Sequence, residues 1–228
     1  VRLYSLKIDA FTHILPRNYK DRLLSILPSY SYWQRIKDNP SLYDLEHRFK
    51  IMDRFDGLTQ VLTLHSPPIE TIVGPEKAVE LAKLANDEMA ELVQKYPERF
   101  VAAIACLPMN NIDAVLKEID RAVSELKFRG VQIYSPTNDK PLDSMEFMPI
   151  YEKISQYNLP IFLHPYRYQT TADYKTEGES KYLIYHIFGW PYETSATMAR
   201  LVFSGILEKY PGLKIIAHHT GAMVPFFE

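Results

Sequence analysis

Histidine is the residue at which several apolar runs of this sequence end. His13 closes the run KIDAFTH, His65 closes LTQVLTLH, His164 ends LPIFLH, and His218 follows LKIIA. A neutral imidazole binds zinc and similar divalent ions through a ring nitrogen, and it also serves as a general acid or base near neutral pH. The four residues therefore predict a metal or acid–base centre, provided that the fold brings them together.

The remaining histidines differ in their surroundings. His47 and His186 lie in polar stretches between the apolar runs, where a pocket or surface position is expected rather than metal binding. His219 directly follows His218. Because successive side chains of a strand point to opposite faces, only one of these two neighbours is expected to point into a site at the strand end.

Six apolar runs and four helical segments carry these histidines. The runs, residues 6–13, 58–65, 100–108, 130–136, 159–165 and 213–219, are short and several are continuously apolar, which is typical of parallel strands covered on both faces. Amphipathic periodicity predicts helices over 75–96, 111–128, 144–158 and 193–212. This alternation indicates an α/β fold, in which the carboxyl ends of parallel strands meet on one face.

The chain is expected to form one domain over residues 1–228. Two long stretches rich in aromatic residues, 17–50 and 165–191, follow strands that end in histidine, which is where a barrel carries its active-site loops. A closed (β/α)₈ barrel has eight βα units, and the sequence supplies about six. The fold is therefore expected to be either an open parallel sheet or an incomplete barrel whose C-terminal strands are missing from this sequence.

The composition limits the classes of partner. The 228 residues are 46% apolar and 24% charged with a formal net charge of −2, which argues against a nucleic-acid surface and against basic membrane attachment. No run has the length of a membrane span, and no signal-peptide pattern is present, so a cytoplasmic protein is expected. The single cysteine, Cys106, excludes an internal disulfide, and the sequence contains no G-x-S-x-G motif.

Longer stretches of the sequence resemble a known family. KIDAFTHILP, YDLEHRFKIMDRF, IFLHPY and KYLIYHIFGWPYETSATMARLVFSGILEKYPGLKIIAHHTGA are together similar to the amidohydrolase-2 family, which includes the aminocarboxymuconate-semialdehyde decarboxylase-like enzymes. The similarity covers nearly the whole chain. It implies a TIM-like barrel that holds one divalent metal ion, often in a homodimer, and most such enzymes remove carbon dioxide non-oxidatively from aromatic or unsaturated carboxylic acids.

The resemblance also assigns roles to individual residues. It implies that His13 and His164 are metal ligands, that His218 is the acid–base group, and that Arg48 holds the carboxylate of the substrate. In the family, a histidine or glutamate usually stands two residues before the first ligand, and this sequence has Phe11 there. The resemblance also implies an aspartate ligand from an eighth strand, which this sequence does not contain, and this favours the incomplete barrel over the open sheet.

Aromatic side chains of the second insertion complete the expected site. Trp190 and His186 are the candidates for contact with a planar substrate, since aromatic rings pack on one another. Zinc is the expected ion, with manganese and magnesium as alternatives.

Three functions are compatible with this sequence. The first is a metal-dependent decarboxylase, a carbon–carbon lyase of an aromatic or unsaturated carboxylic acid. The second is a metal-dependent hydrolase or hydratase on the same scaffold, in which water attacks the substrate and His218 acts as the base. The third is a metal-free binding or regulatory descendant, which the phenylalanine at position 11 keeps open.

Overall fold

The structure is a computed structural model that describes residues 6–27 and 33–227. Its strands are β1 (Lys7–Ile14), β2 (Leu58–Leu64), β3 (Phe100–Ala103), β4 (Ala105–Cys106), β5 (Val131–Ser135), β6 (Pro160–Pro165) and β7 (Lys214–Ala217). Its helices are α1 (Arg17–Ile26), α2 (Trp33–Lys37), α3 (Leu45–Met52), α4 (Pro75–Lys95), α5 (Ile112–Ser124), α6 (Met148–Tyr157), α7 (Ile184–Ile187), α8 (Gly189–Phe203) and α9 (Ile206–Lys209).

The strands follow one another in chain order and are all parallel. β1, β2 and β3 form one sheet, and β4, β5, β6 and β7 form another. Ile104 separates β3 from β4, and its amide donates to the carbonyl of Leu62 at 2.9 Å. β3 and β4 are therefore the two halves of one interrupted strand, and the two sheets form one continuous wall of six strands. All six predicted strands are confirmed.

Burial along the strands explains their composition. All five residues of β5 are buried, and β6 is buried from Ile161 onward, because helices cover the outer face and side chains fill the inner one. β1 and β7 lie at the two ends of the wall, and they are more exposed. Within the described residues, no strand pairs with their outer edges.

The helices follow the predicted pattern, with one correction. α4 buries an apolar stripe that includes Leu81, Ala85 and Met89, and the start of α5 is capped by Asn111, whose side chain accepts from the Ala114 amide. The single helix predicted over 193–212 is wrong, because the chain breaks between α8 and α9. Gly205 adopts φ +77° at this break, a conformation that glycine reaches without steric cost.

Two apolar clusters lie on opposite faces of the wall. The larger cluster fills the space between the strands and helices α1, α4, α5 and α6. The smaller cluster consists of Val61, Ala102, Ile104 and Phe162, with Phe11 packed against it. It lies on the face that carries the histidines and forms the floor beneath them.

Among the described residues, none of the helices is long and apolar enough to cross a membrane.

Candidate functional site: a cluster of histidines at the strand ends

Three imidazoles from separate strands meet at one point. His13 lies near the end of β1, His164 lies in β6, and His218 directly follows β7. One potential ligand atom of each residue lies within 4.8 Å of those of the other two. The ring centroids are 5.1 Å apart for His13 and His164, and 4.6 Å apart for His164 and His218. The parallel wall therefore brings together residues that are up to 205 positions apart in the sequence, from 13 to 218.

Hydrogen bonds orient two of these rings. Nδ1 of His164 lies 2.7 Å from the carbonyl oxygen of Pro165, and Nδ1 of His13 lies 3.0 Å from Oγ1 of Thr63. A carbonyl oxygen only accepts, so Nδ1 of His164 carries the proton and Nε2 holds a free lone pair. This is the tautomer in which a histidine binds a metal through Nε2.

His65 stands beside the cluster. Its ring centroid is 5.5 Å from that of His13, and its Nδ1 lies 2.6 Å from the carbonyl oxygen of Ser66. The same reasoning places the proton of His65 on Nδ1. His65 is outside the group of three that could share one ion, and its ring borders that group.

Burial and mutual repulsion keep the clustered imidazoles neutral. Desolvation, followed by the charges of the neighbouring histidines, lowers the pKa of His13 and of His164 well below the usual value. Burial, with a smaller contribution from His219, lowers the pKa of His218 to about 4. Neutral rings with free lone pairs are the form that coordinates a cation, so the donor chemistry of the cluster fits a divalent metal ion.

Phe11 occupies the position at which the resemblance places a further ligand. Its ring centroid is 4.1 Å from that of His218, 5.7 Å from that of His13 and 5.1 Å from that of Phe162. The side chain therefore joins the histidines to the apolar floor. A hydrocarbon ring offers no electron pair to a cation, so Phe11 forms a wall of the site and cannot act as a ligand.

Arg48 lies behind β1 and is 4% exposed. Its Nη1 donates to the carbonyl oxygens of His13 and Ser41, and its Nε donates to Oε1 of Gln60 at 2.7 Å. Burial lowers the pKa of Arg48 to about 10, so the guanidinium stays charged at neutral pH. Arg48, His13 and His65 border one cavity of about 330 Å³. The substrate role of Arg48 stays a prediction.

Trp190 is brought against the cluster by α8. Its ring centroid is 5.4 Å from that of His164, and His186 packs on Trp190 with centroids 4.1 Å apart. Of the two predicted substrate-binding residues in the second insertion, Trp190 contacts the ring of the candidate ligand His164 directly. His186 packs against Trp190.

Of the neighbouring pair His218 and His219, only His218 belongs to the group that could share one ion, as expected, and His219 is exposed. Both rings lie against His164, with centroid distances of 4.6 Å and 5.5 Å. The alternation of a strand does not apply, because β7 ends at Ala217 and His219 adopts φ +51°. The positive φ turns the second ring toward the same side as the first.

Two residues around the cluster escaped the sequence analysis. Thr63 contacts His13, and Tyr134 packs its ring 4.9 Å from that of His164 while its hydroxyl donates to the carbonyl of Leu64. Both lie on strands that pair with a histidine-bearing strand, opposite the histidine itself. Only the strand register identifies them, since nothing in their local sequence differs from an ordinary strand.

Comparison with known proteins decides the family. A family model described as amidohydrolase matches residues 8–225. The chain belongs to this amidohydrolase family. The resemblance seen in the sequence is confirmed.

Named relatives of this amidohydrolase are decarboxylases. The chain is 28% identical over 240 residues to a 2-amino-3-carboxymuconate-6-semialdehyde decarboxylase of Dictyostelium discoideum, which covers 97% of this chain and 65% of the relative. It is 32% identical over 201 residues to a gamma-resorcylate decarboxylase of Polaromonas sp., which covers 85% of this chain and 60% of that relative. The chain thus spans less than two thirds of the length of either protein.

A solved structure extends the comparison. The 5-carboxyvanillate decarboxylase of Novosphingobium aromaticivorans, solved with manganese and a nitrobenzoic acid derivative, matches with a TM-score of 0.80 and 29% identity, over 97% of this chain and 67% of that chain. The fold class, an α/β TIM-like barrel, is confirmed by such neighbours.

Proposed function

We propose that this amidohydrolase is a metal-dependent, non-oxidative decarboxylase of an aromatic carboxylic acid. The observation that carries the proposal is the meeting of three neutral imidazoles at the strand ends, in a chain related to named decarboxylases. Unsaturated, non-aromatic acids belong to the same proposal, since the relative from Dictyostelium is named for one.

The metal is held by His13 and His164 in this proposal. Nε2 of His164 carries a free lone pair, and the ring of His13 lies 5.1 Å away by centroids. Zinc is the ion that we propose first, because neutral imidazole suits it well. Manganese, which a related structure contains, is the second candidate and magnesium the third. Such an ion supplies Lewis acidity that polarises a substrate oxygen.

His218 is the proton donor in this proposal. Decarboxylation requires a proton at the carbon that bears the carboxylate; the bond from that carbon to the carboxylate then breaks, its electron pair returns to the ring, and carbon dioxide leaves. General acid catalysis of this kind contributes about 10²–10⁴-fold in rate. The negative charge of a bound carboxylate would favour the protonated form of His218, whose pKa is about 4 in the chain alone.

The substrate is oriented by residues around the three imidazoles. Arg48 faces the cavity of about 330 Å³ that reaches His13, and we assign to it the carboxylate of the substrate. Trp190, with His186 behind it, offers an aromatic face for a planar ring.

The single barrel domain over residues 1–228 is also part of the proposal, with its remaining strands and an aspartate ligand supplied by sequence outside this chain. The outer edges of β1 and β7 are where such strands would pair. A cytoplasmic homodimer acting on a small carboxylic acid, with neither nucleic acid nor membrane as a partner, completes the proposal.

A hydrolase or hydratase is the second candidate. The pKa of about 4 leaves His218 neutral at pH 7, and a neutral imidazole accepts a proton from an attacking water. This chemistry uses the same residues. It differs from decarboxylation because water attacks the substrate and His218 acts as the base instead of the proton donor.

The test separates these functions. The complete protein, loaded with Zn²⁺ or with Mn²⁺, is incubated with 2,6-dihydroxybenzoate, 5-carboxyvanillate and 6-methylsalicylate, and carbon dioxide is measured. We expect metal-dependent release from at least one acid. Turnover of a lactone or an ester without any release of carbon dioxide would support the hydrolase, and failure to bind either metal would leave the metal-free descendant.

A further inference from the structure

Thr63 is a buried threonine beside the candidate metal ligand His13. It lies on β2 directly opposite His13 on β1, and it is fully buried. Its Oγ1 is 3.0 Å from Nδ1 of His13 and 3.0 Å from the carbonyl oxygen of Thr12. A buried hydroxyl between two strands thus contacts both a backbone acceptor and one of the candidate metal ligands.

The number of protons available for these two contacts determines the tautomer of His13. A threonine hydroxyl has one proton to donate, and the Thr12 carbonyl can only accept. When the hydroxyl donates to Thr12, its contact with His13 is a hydrogen bond only if Nδ1 of His13 carries a proton. Only this arrangement makes both contacts hydrogen bonds, and it leaves the lone pair of His13 on Nε2.

We propose that Thr63 is a positioning residue that fixes the tautomer and the ring orientation of His13, so that Nε2 is presented to a divalent cation. Thr63 would do for His13 what the Pro165 carbonyl does for His164. The inference rests on the proposed metal centre, and it adds a supporting residue that touches neither substrate nor metal. Such outer partners of metal-binding histidines typically contribute about 10–100-fold in metal affinity.

The chain offers a matched control on the adjacent strand. The hydroxyl of Thr12 is also buried, and it donates to the carbonyl oxygen of Val61 at 2.8 Å across the same pair of strands. Its side chain makes no hydrogen bond to an imidazole within the described residues. Thr12→Val and Thr63→Val therefore each remove one buried hydroxyl between β1 and β2, and only the second removes a hydroxyl that contacts the imidazole of His13.

The first measurement is the tautomer of His13 in the metal-free protein, read from two-bond proton–nitrogen correlations in ¹⁵N-histidine-labelled samples. We expect the Nδ1–H tautomer in the parent, in Thr12→Val and in Thr63→Ser, which keeps the hydroxyl. We expect a loss of this preference in Thr63→Val. This readout needs no metal and no turnover, so it stays decisive even if the proposed decarboxylase activity is absent.

The second measurement is the affinity for Zn²⁺ alone, by titration against a competing chelator. Thr63→Val should bind about 10–100-fold more weakly, whereas Thr63→Ser and Thr12→Val should stay near the parent. An unchanged tautomer in a folded Thr63→Val, or an equal loss of affinity in Thr12→Val, would overturn the proposal. If Thr63→Val does not fold, a Thr63→Ser variant with an altered tautomer would overturn it equally.

Discussion

The two ends of the histidine cluster are held in different ways. His13 and His164 each have a hydrogen-bond partner for Nδ1 and belong to strands. His218 follows β7, a strand at the end of the wall, and within the described residues its ring makes ring contacts but no hydrogen bond. The difference fits the proposed roles, because a metal ligand needs a fixed tautomer, whereas an acid–base group takes up and releases a proton at one ring nitrogen.

The largest effect on metal binding should come from replacing one of the two histidines whose Nδ1 has a hydrogen-bond partner. His164→Ala removes a ring that is 3% exposed and oriented by the backbone, and we expect complete loss of stoichiometric metal. Elemental analysis after dialysis against Zn²⁺ measures this loss. His47→Ala on α3, which removes a histidine outside the cluster, is the control and should keep its metal. A metal content equal to the parent in His164→Ala would contradict the proposed ligand set.

The opposite end of the cluster should respond differently. His218→Asn should keep the metal but reduce kcat by about 10²–10⁴-fold, because it removes the proton donor. Metal analysis and carbon dioxide release on the same sample separate the two properties. Loss of metal in this variant would mean that His218 is a third ligand, and the contrast between the two ends would disappear.

A second contrast between groups with and without a hydrogen-bond partner involves the buried carboxyl group of Glu70. Oε1 of Glu70 is buried without a hydrogen-bond partner among the described residues, beside a cavity of about 10 Å³ that Gln132 and Tyr134 also line. Burial raises the pKa of Glu70 from 4.5 to about 7. The folded chain therefore binds a proton more readily than the unfolded chain, and stability falls as the pH rises from 4.5 through 7.

Glu70→Gln should remove this penalty. Above pH 7 we expect the variant to be more stable than the parent by up to about 3 kcal/mol, and below about pH 4.5 the difference should vanish. Urea denaturation at several pH values measures it. Glu152→Gln, at an exposed carboxylate of α6, should change little at any pH. A constant difference across the pH range would show that the effect does not come from ionisation.

The smallest effect should come from adding a ligand between the two ends. Phe11→His places an imidazole where the ring now contacts both His13 and His218, and we expect Zn²⁺ to bind about tenfold more tightly, a gain of about 1.4 kcal/mol. Phe11→Leu, which removes the ring without adding a donor, is the control. Equal affinities in all three proteins would mean that position 11 does not face the ion.

The strands and most helices were predictable because their patterns are local. Continuous apolar runs identify all six strands, and the parallel order that they predict places His13, His164 and His218 on one face. The break at Gly205 was missed because its neighbours continue a helical pattern. Glycine in the left-handed region ended the helix instead.

The details of the site depended on features that single runs do not encode. Thr63 meets His13 because β1 and β2 pair in one particular register, which shifts between Asp9 and Thr12. The position of the His219 ring against His164 depends on a positive φ at His219, a conformation that the sequence gives no reason to expect. Register and backbone turns are set by the whole fold, so they follow from the structure alone.

The unpaired edge strands β1 and β7 affect how these residues behave as an isolated polypeptide. β1 and β7 carry exposed apolar side chains, among them Ile8 and Ile216, beside backbone groups that face no neighbouring strand within the described residues. Open borders of this kind are templates on which another extended chain adds. Such a sample should self-associate as its concentration increases, and a peptide able to cap either border should keep it monomeric.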